Sequence, residues 1–221
     1  MRRLLVLLTL LATSIIATAQ DKPAAVMTNQ FGKTGCEDMA VRVLMLGRDL
    51  ELNPQSKGYI VTYTQPDIDI KRMFWLENVY RGAIREWNLD RSRITFVRAK
   101  PEKEFRTELW IVPPGAEKPA FPEAAWNYEV TKTKKYYDSN DSVGPCPEAP
   151  EEMFSVILNE NPTLHGNISI SERSDRKYRK LLGEIKTKLA SVDTSRLRFF
   201  RRRDCSGDTC GRYQLWLIPG R

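Results

Sequence analysis

Two kinds of hydrophobic pattern alternate along this chain, and together they predict an ordered series of strands and helices. In the first half, Met39, Val43, Leu46 and Leu50 recur at helical spacing, so one face of an α-helix is apolar. Residues 59–63 follow with β-branched and aromatic side chains that favour a strand. A second helix is predicted from the apolar stripe of Ile70, Met73, Leu76, Tyr80, Ile84 and Trp87. We interpret this stripe as core packing in preference to a ligand-binding surface.

Local signals predict the remaining strands and the helix starts in this half. Further strands are expected at residues 26–31, 93–97 and 107–112. Thr34 and Glu37 have the spacing of a capping box, in which hydroxyl and carboxylate satisfy free backbone donors at the start of the first helix. Asp67 or Asp69 is expected to cap the start of the second helix.

The same order of motifs returns in the second half of the chain. The matched anchors are Gly58 with Gly166, Asp90-Arg91-Ser92-Arg93 with Asp193-Thr194-Ser195-Arg196, and Trp110 with Trp216. They agree in order, and the interval from glycine to tryptophan is nearly equal in the two copies. Helices are expected at residues 153–157 and 178–189, and strands at residues 126–137, 168–170, 196–200 and 213–218.

This duplication predicts an α+β fold of two tandem β-α-β-α-β-β repeats, each a mixed sheet with two helices on one face. The first repeat is expected at residues 20–115 and the second at residues 126–221. Residues 116–125, which contain two prolines, are expected to form the linker.

The start of the chain has the pattern of a cleavable secretory signal, predicted at residues 1–19. Arg2 and Arg3 precede an apolar run that ends in Ala17-Thr18-Ala19, a small-residue cleavage site, so the mature chain is expected to begin at Gln20. An uncleaved anchor is the competing interpretation, but the run is shorter than the roughly 20 apolar residues of a spanning helix. We expect a periplasmic or secreted bacterial protein.

Four cysteines are present, and an oxidising compartment would allow them to pair. Cys205 and Cys210 flank a turn-like spacer, while Cys36 and Cys146 occupy matching places at the start of the two repeats. We therefore expect disulfides between Cys205 and Cys210 and between Cys36 and Cys146. A metal site is the competing interpretation, but His165 is the only histidine, so no metal is expected.

The chain carries a formal net charge of +7, and much of its basic character is local. Arginines crowd near the end of the chain at Arg196, Arg198, Arg201, Arg202 and Arg203. The last three are candidates for contact with phosphate or an anionic envelope polymer. The competing interpretation is a solvated strand edge. Neither a nucleic-acid partner nor a membrane span beyond the signal is expected.

The order of strand, long amphipathic helix, exit turn and closing hairpin resembles the OmpA-like C-terminal domain of bacterial envelope proteins. The exit turn that carries the resemblance is Asn88-Leu89-Asp90-Arg91-Ser92-Arg93-Ile94. The ending Glu-Leu-Trp-Ile-Val-Pro-Pro-Gly-Ala at residues 108–116 is also similar to that of an uncharacterised group of exported bacterial proteins. The resemblance implies a location in the cell envelope.

In the OmpA-like family, an Asp after the second strand and an Arg on the following helix hold the diaminopimelate of peptidoglycan. The resemblance places Asp67 of the first repeat and Arg179 of the second at these positions, so each repeat keeps at most half of the site. A composite site of Asp67 and Arg179 is one interpretation. The competing one is a pair of surface charges on a helix and its cap.

The sequence contains no recognisable catalytic constellation. His165 lies in a predicted turn without a Gly-x-Ser-x-Gly motif, and there is no glycine-rich phosphate loop. The adjacent acidic residues Glu151 and Glu152 lie near a helix start, where the helix dipole accounts for them. We expect no enzyme and no cofactor. The first hypothesis is an envelope interaction or scaffolding protein without an intact ligand site. The alternatives are a peptidoglycan-binding module with a rearranged site and, last, an exported hydrolase.

Overall fold

The computed structural model describes residues 22–66, 70–124, 130–140 and 146–220. The predicted signal at residues 1–19 and the predicted helix caps Asp67 and Asp69 lie outside these residues. In chain order the elements are β1 (Val26–Phe31), α1 (Cys36–Leu52), β2 (Lys57–Tyr63), α2 (Ile70–Glu86), β3 (Ile94–Arg98), β4 (Arg106–Val112), β5 (Lys134–Asp138), α3 (Pro150–Glu160), β6 (His165–Ser171), α4 (Asp175–Lys188), β7 (Leu197–Arg202) and β8 (Arg212–Ile218). Single turns of 3-10 helix lie at Arg91–Arg93, Thr194–Arg196 and Gly207–Thr209.

The strands form two four-stranded mixed sheets with the same topology. Their orders are β1-β4-β2-β3 and β5-β8-β6-β7. In each sheet, the first two pairs of neighbouring strands are antiparallel, and the last pair is parallel. Even the irregularity is repeated, because the register shifts between Met27 and Asn29 in β1 and between Lys135 and Tyr137 in β5. The predicted α+β fold of two tandem repeats is confirmed.

A glycine near the start of each second strand lies close to apolar side chains, including one from the first helix of its repeat. A Cβ on Gly58 would lie 2.9 Å from Leu50 Cδ1, and a Cβ on Gly166 would lie 2.9 Å from both Leu197 Cδ2 and Phe154 Cε1. The repeated Gly anchor therefore marks a close approach between helix and sheet.

Each repeat buries an apolar core between its sheet and its helices. The first core contains the predicted helix positions Met39, Val43, Leu46 and Leu50, all nearly inaccessible to solvent. The second core is built in the same way from the second repeat, but it also takes in Phe74 of α2 from the first repeat. The two cores are thus joined through α2.

The described part of the predicted linker packs on the other face of the first sheet. The Phe121 ring lies 5.8 Å from that of Tyr59 and 5.9 Å from that of Trp110, measured between ring centroids. Lys100 N donates a hydrogen bond to Pro122 O at 2.6 Å. This covering explains why Tyr59 and its neighbours on that face are buried.

Two local predictions are wrong. Helix α1 has Gly35 as its N-cap, and Thr34 Oγ1 donates to the side chain of Asp38 at 2.9 Å, so the capping box of Thr34 with Glu37 does not form. Its helix begins one residue later than the box requires. His165 is the exposed first residue of β6 and does not lie in a turn.

None of the helices in the described residues has the length and apolar composition needed to cross a membrane.

Candidate functional site

Both predicted disulfides form. Cys36 and Cys146, whose Cα atoms are 5.5 Å apart, link the start of α1 to the segment that leads into α3. Cys205 and Cys210 close the 3-10 turn between β7 and β8. The first bridge therefore ties the two repeats together, and the second closes the loop between β7 and β8. The expected closing hairpin is wrong, because β6 lies between β7 and β8 in the sheet, as β2 lies between β3 and β4.

The structure describes only one member of the predicted ligand-binding pair of Asp67 and Arg179. Asp67 lies outside the described residues, whereas Arg179 lies on the exposed side of α4. Arg179 Nε donates a long hydrogen bond of 3.4 Å to the backbone carbonyl of Asp175, one turn earlier in the same helix. The guanidinium is accordingly held close to its own helix and open to solvent.

The predicted anion contact Arg201 is engaged with the loop that precedes α4. Its Nε donates to Glu172 O at 2.9 Å and its Nη2 donates to Arg173 O at 2.6 Å. Its Nη1 also forms an ion pair with Asp175. Its Cζ atom lies over the Tyr178 ring, 4.7 Å from the ring centroid. Arg201 therefore fastens β7 to the start of α4.

The other two arginines of the basic run also have acidic neighbours. Arg203 Nη2 lies 3.3 Å from Asp175 Oδ1, and Arg202 Nη2 lies 3.0 Å from Asp204 Oδ2. The hydrogen bond from Arg201 and the charges of Arg201 and Arg203 lower the pKa of Asp175. The carboxylate stays ionised and offsets part of the local positive charge.

A buried ion cluster lies beside the boundary between the repeats. Arg81 Nη2 lies 2.5 Å from Glu77 Oε1, with both side chains only 6% exposed. Arg98 Nε lies 2.8 Å from the other carboxylate oxygen of Glu77. Burial alone would raise the pKa of Glu77, but the two arginines outweigh it and lower the pKa. Glu77 is therefore a buried carboxylate with both oxygens paired.

The same arginines reach across to α3 of the second repeat. Arg81 Nη1 lies 2.5 Å from Glu152 Oε1, and Arg98 Nη1 lies 2.5 Å from Glu160 Oε2. Arg91 Nε also contacts Glu152 at 3.2 Å. These contacts join one buried cluster in the first repeat to two carboxylates on one helix of the second.

A second buried carboxylate, Glu151, lies at the start of α3. Lys188 Nζ and Tyr213 Oη donate to Glu151 Oε1 at 2.7 Å and 2.6 Å, and Arg85 Nη1 lies 3.5 Å from its Oε2. Burial acts to raise the pKa of Glu151, but the hydrogen bonds from Lys188 and Tyr213 lower it overall. This carboxylate connects α3 with α4 and β8, and with α2 of the first repeat.

Backbone contacts bring α2 very close to the segment before α3. Ala149 N donates to Asn78 Oδ1 at 2.8 Å. A Cβ on Gly82 would lie only 2.3 Å from Glu148 N, so no larger residue fits there without movement. Beside this contact lies a cleft of about 250 Å³, lined by Phe74, Trp75, Asn78, Lys134, Lys135, Tyr136, Tyr137 and Glu148. Burial raises the pKa of Glu148 at its edge.

The charged groups of this junction are paired with one another. The lowered pKa values of Glu77 and Glu151 favour their ionised forms, and the neighbouring cations pair with these carboxylates and connect the packed elements. Among the residues that the structure describes, no three His, Cys, Asp or Glu side chains are grouped to hold a metal ion.

The sequence alone did not reveal the junction. Glu77, Arg81 and Arg98 lie on elements predicted from their apolar residues, and their partners are far away in sequence. Among the carboxylates of the junction, the sequence pattern singles out only the adjacent pair of Glu151 and Glu152, and the helix dipole alone would account for it. The structure adds partners from four other elements to that pair.

Comparison with models of known protein families and with curated proteins finds no match to this chain.

Proposed function

We propose that this chain is an exported, non-enzymatic protein of the bacterial cell envelope, built from two degenerate OmpA-like repeats, and that it acts as an interaction or scaffolding module. The observation that carries the proposal is the junction. A disulfide, a buried ion cluster and a glycine contact together hold the repeats in one fixed arrangement. A scaffold needs a fixed arrangement of its two repeats, whereas a flexible tether does not.

Export is supported by the two disulfides, because such bonds persist in oxidising compartments. It is also supported by the secretory pattern at residues 1–19. Fractionation of cells that express the full sequence tests this step. Mass spectrometry of the periplasmic or secreted protein should give a chain that begins at Gln20. Retention in the cytoplasm with free thiols would overturn it.

Peptidoglycan binding is the second candidate, and the exposure of Arg179 favours it. Its guanidinium makes only the long contact to Asp175 O among the hydrogen bonds of the described residues, so its remaining donors can reach a ligand carboxylate. The arginines at 201–203 offer a weaker, electrostatic mode of attraction to an anionic polymer, because nearby aspartates offset them.

Sedimentation of residues 20–221 with purified peptidoglycan across a salt series separates these functions. If the chain is a scaffold, we expect no retention, or retention that disappears as salt screens the basic run. Retention that survives high salt and is lost in Arg179→Ala would establish the peptidoglycan-binding module instead. Arg176→Ala, which removes another exposed arginine from α4, is the matched control. If retention is purely electrostatic, simultaneous neutralisation of Arg201, Arg202 and Arg203 should abolish it.

A further inference from the structure

A polar pocket of about 270 Å³ lies at one end of the second sheet. All four strands of the sheet contribute to its lining, which includes Asp138, Ser171, Arg202, Arg212 and Gln214. Ser171 and Gln214 are neighbours in sequence of core residues on their strands, so their own side chains point to the opposite face, away from the helices. The loop closed by the second disulfide forms one wall, where Cys205 and Thr209 lie.

Strand pairing identifies the same corner in the first repeat. In each repeat, the arginine that begins the last strand lies directly opposite the residue that ends the second strand. A glutamate or glutamine follows that arginine two residues later on the same strand and face. The equivalent residues are Arg212 and Arg106, Ser171 and Tyr63, and Gln214 and Glu108.

In the first repeat, this corner is filled and its arginine is neutralised. The Arg106 Cζ atom lies 3.6 Å from the centroid of the Tyr63 ring. Arg106 Nε lies 3.0 Å from Glu108 Oε1, and its Nη1 forms a further ion pair with Glu102. Tyr63 Oη donates to the other oxygen of Glu108 at 3.3 Å. The arginine therefore has two carboxylate partners and an aromatic ring against it.

The second repeat keeps the arginine and lacks these partners. Ser171 stands in place of the tyrosine, and Gln214 supplies an amide in place of the carboxylate. Arg212 Nε donates to Asp208 O at 2.9 Å, and its Nη1 donates to Ser139 O at 3.1 Å. Within the part of the chain that the structure describes, Arg212 Nη2 has no hydrogen-bond partner and no carboxylate pairs with the guanidinium. The corner is thus open and carries an uncompensated positive charge.

A second arginine is added on the other side of the same serine. Arg202 of β7 lies directly opposite Ser171, at the position that the buried Ala99 occupies in the first repeat. Its Nε and Nη2 contact Asp204, at 3.4 Å and 3.0 Å, whereas its Nη1 has no partner among the described residues. The two arginines are separated by two strand spacings, about 10 Å between Cα atoms. An anion between them can accept a hydrogen bond from each.

The carboxylates of the pocket do not neutralise it. Asp138 Oδ2 lies 2.9 Å from Lys135 Nζ, so this aspartate has a counter-ion of its own. Asp204 is the counter-ion of Arg202. Arg212 is left as the charge that a bound anion would balance, as a glutamate does in the first repeat. Loss of an aromatic ring, loss of a carboxylate and gain of a cation all favour the same type of occupant.

We propose that this pocket binds an acidic sugar, a monosaccharide unit whose carboxylate or phosphate lies between Arg202 and Arg212 above Ser171. Much of the remaining lining consists of hydroxyl and amide groups, which both donate and accept hydrogen bonds and so match the hydroxyls of a sugar. The inference deepens the proposed interaction role by naming a ligand class. It rests on that role only for its setting, because acidic sugars are components of envelope polymers.

The experiment is an NMR titration of oxidised residues 20–221 with glucuronate and with glucose 6-phosphate, which distinguish a carboxylate from a phosphate. Glucose is the neutral control, and inorganic phosphate is the control for a bare anion. We expect saturable binding of at least one sugar acid with a dissociation constant on the order of 1 mM, and no saturation with glucose.

Two variants test the pocket by different means. Arg212→Gln removes the uncompensated charge, and Ser171→Tyr fills the pocket with the side chain of the first repeat without a change of charge. Each should weaken binding at least about tenfold. The matched control is Arg198→Gln, which removes an exposed arginine of β7 outside the pocket and should leave the dissociation constant within about twofold. Thermal unfolding verifies that each variant is folded.

The absence of saturable binding for both sugar acids overturns the proposal. Binding that is unchanged in Arg212→Gln and Ser171→Tyr, or equally weakened in Arg198→Gln, also overturns it. Binding of inorganic phosphate alone would mean an adventitious ion only. None of these outcomes decides the scaffold hypothesis, because retention on peptidoglycan and fractionation of cells test that hypothesis separately.

Discussion

At the scale of single residues, the most informative feature is an arginine used twice for the same purpose. Arg93 Nη2 donates to Leu50 O, Asn53 O and Ser56 O. Arg196 Nη2 makes the equivalent contacts to Leu158 O, Asn161 O and Leu164 O. The last carbonyls of a helix have no partners within the helix, so each guanidinium completes the C-terminal end of its repeat's first helix.

The aspartate three residues earlier prepares this contact. Asp90 Oδ1 accepts a hydrogen bond from Ser92 N at 3.0 Å, and Asp193 Oδ1 accepts one from Ser195 N at 2.9 Å. Each bond fixes the 3-10 turn that carries the arginine. The repeated Asp-x-Ser-Arg motif is thus a device that links the turn after the second helix to the end of the first helix.

We expect Arg93→Ala to destabilise the protein by about 2–3 kcal/mol, because several buried or half-buried carbonyls lose a charged donor. Urea unfolding followed by tryptophan fluorescence measures the change. Arg198→Ala, which truncates an exposed arginine on β7, is the control and should change stability by less than about 0.5 kcal/mol. Equal effects of the two substitutions would contradict the capping role.

At the scale of elements, α2 is the helix that both repeats share. One side of it supplies Leu76, Val79 and Tyr80 to the first core. Its other side supplies Phe74 to the second core and presents Gly82 to the backbone before α3. Helix α4, its counterpart in the second repeat, has solvent on the corresponding side. The difference between the two helices therefore reflects the presence of a neighbour.

A pair of glycine substitutions tests this difference. Gly82→Ala should destabilise the protein by about 1–3 kcal/mol, because the new Cβ would meet Glu148 N at 2.3 Å and Pro147 C at 2.4 Å. Gly183→Ala on α4 should stabilise it by about 0.5–1 kcal/mol, because no atom lies within 4 Å and alanine favours a helix. Thermal unfolding distinguishes the opposite signs. A stabilising Gly82→Ala would show that α2 is not in close contact with the segment before α3.

The two disulfides should differ in their contributions to stability. Cys36 and Cys146 close a loop with a separation of 110 residues, whereas Cys205 and Cys210 are separated by 5. In the loop-entropy description, the long loop contributes about 4–5 kcal/mol and the short one about 2 kcal/mol. Paired Cys→Ala variants, compared by chemical unfolding, should show this order. A larger loss from the short loop would indicate that the long bridge does not constrain the unfolded chain.

The elements were predictable because their signals are local. The apolar stripe at Met39, Val43, Leu46 and Leu50 correctly placed α1, and the duplicated anchors gave the correct tandem fold. Local signals failed where two interpretations competed over a short distance, as at Thr34, whose hydroxyl binds Asp38 because Gly35 takes the N-cap position. Local signals also do not predict the junction, because a charged residue on a helix does not indicate which distant carboxylate it will pair with.

At the scale of the whole molecule, the junction is held by charge as well as by apolar contact. Glu77 anchors Arg81 and Arg98, and these two reach Glu152 and Glu160 of the second repeat. The pKa of Glu77 lies below its ordinary value of 4.5, so its ionised form is favoured in the folded chain. Loss of this one charge would leave two arginines of the first repeat short of a counter-ion. Ionisation of Glu77 therefore connects the stability of the junction to pH.

The direction of this pH dependence follows from the lowered pKa. A carboxyl whose folded pKa lies below its unfolded pKa contributes stability that is complete above the unfolded value, here 4.5. That contribution is lost as pH falls toward the folded pKa. Glu148 acts in the opposite direction, because burial raises its pKa. Comparison of two proteins that differ only at Glu77 cancels the contribution of Glu148.

Glu77→Gln should cost about 3 kcal/mol of unfolding free energy at neutral pH, because it removes one partner from a buried ion pair. The gap to the unmodified protein should narrow as pH falls from about 5 to about 3, because Glu77 is then protonated in the unfolded chain of the unmodified protein, which stabilises that unfolded state, whereas glutamine takes up no proton. Chemical unfolding at several pH values measures this gap. Glu86→Gln, an exposed change on the same helix, should give a small difference with little dependence on pH. A gap for Glu77→Gln that stays constant across this range would show that the ionised carboxylate does not stabilise the junction.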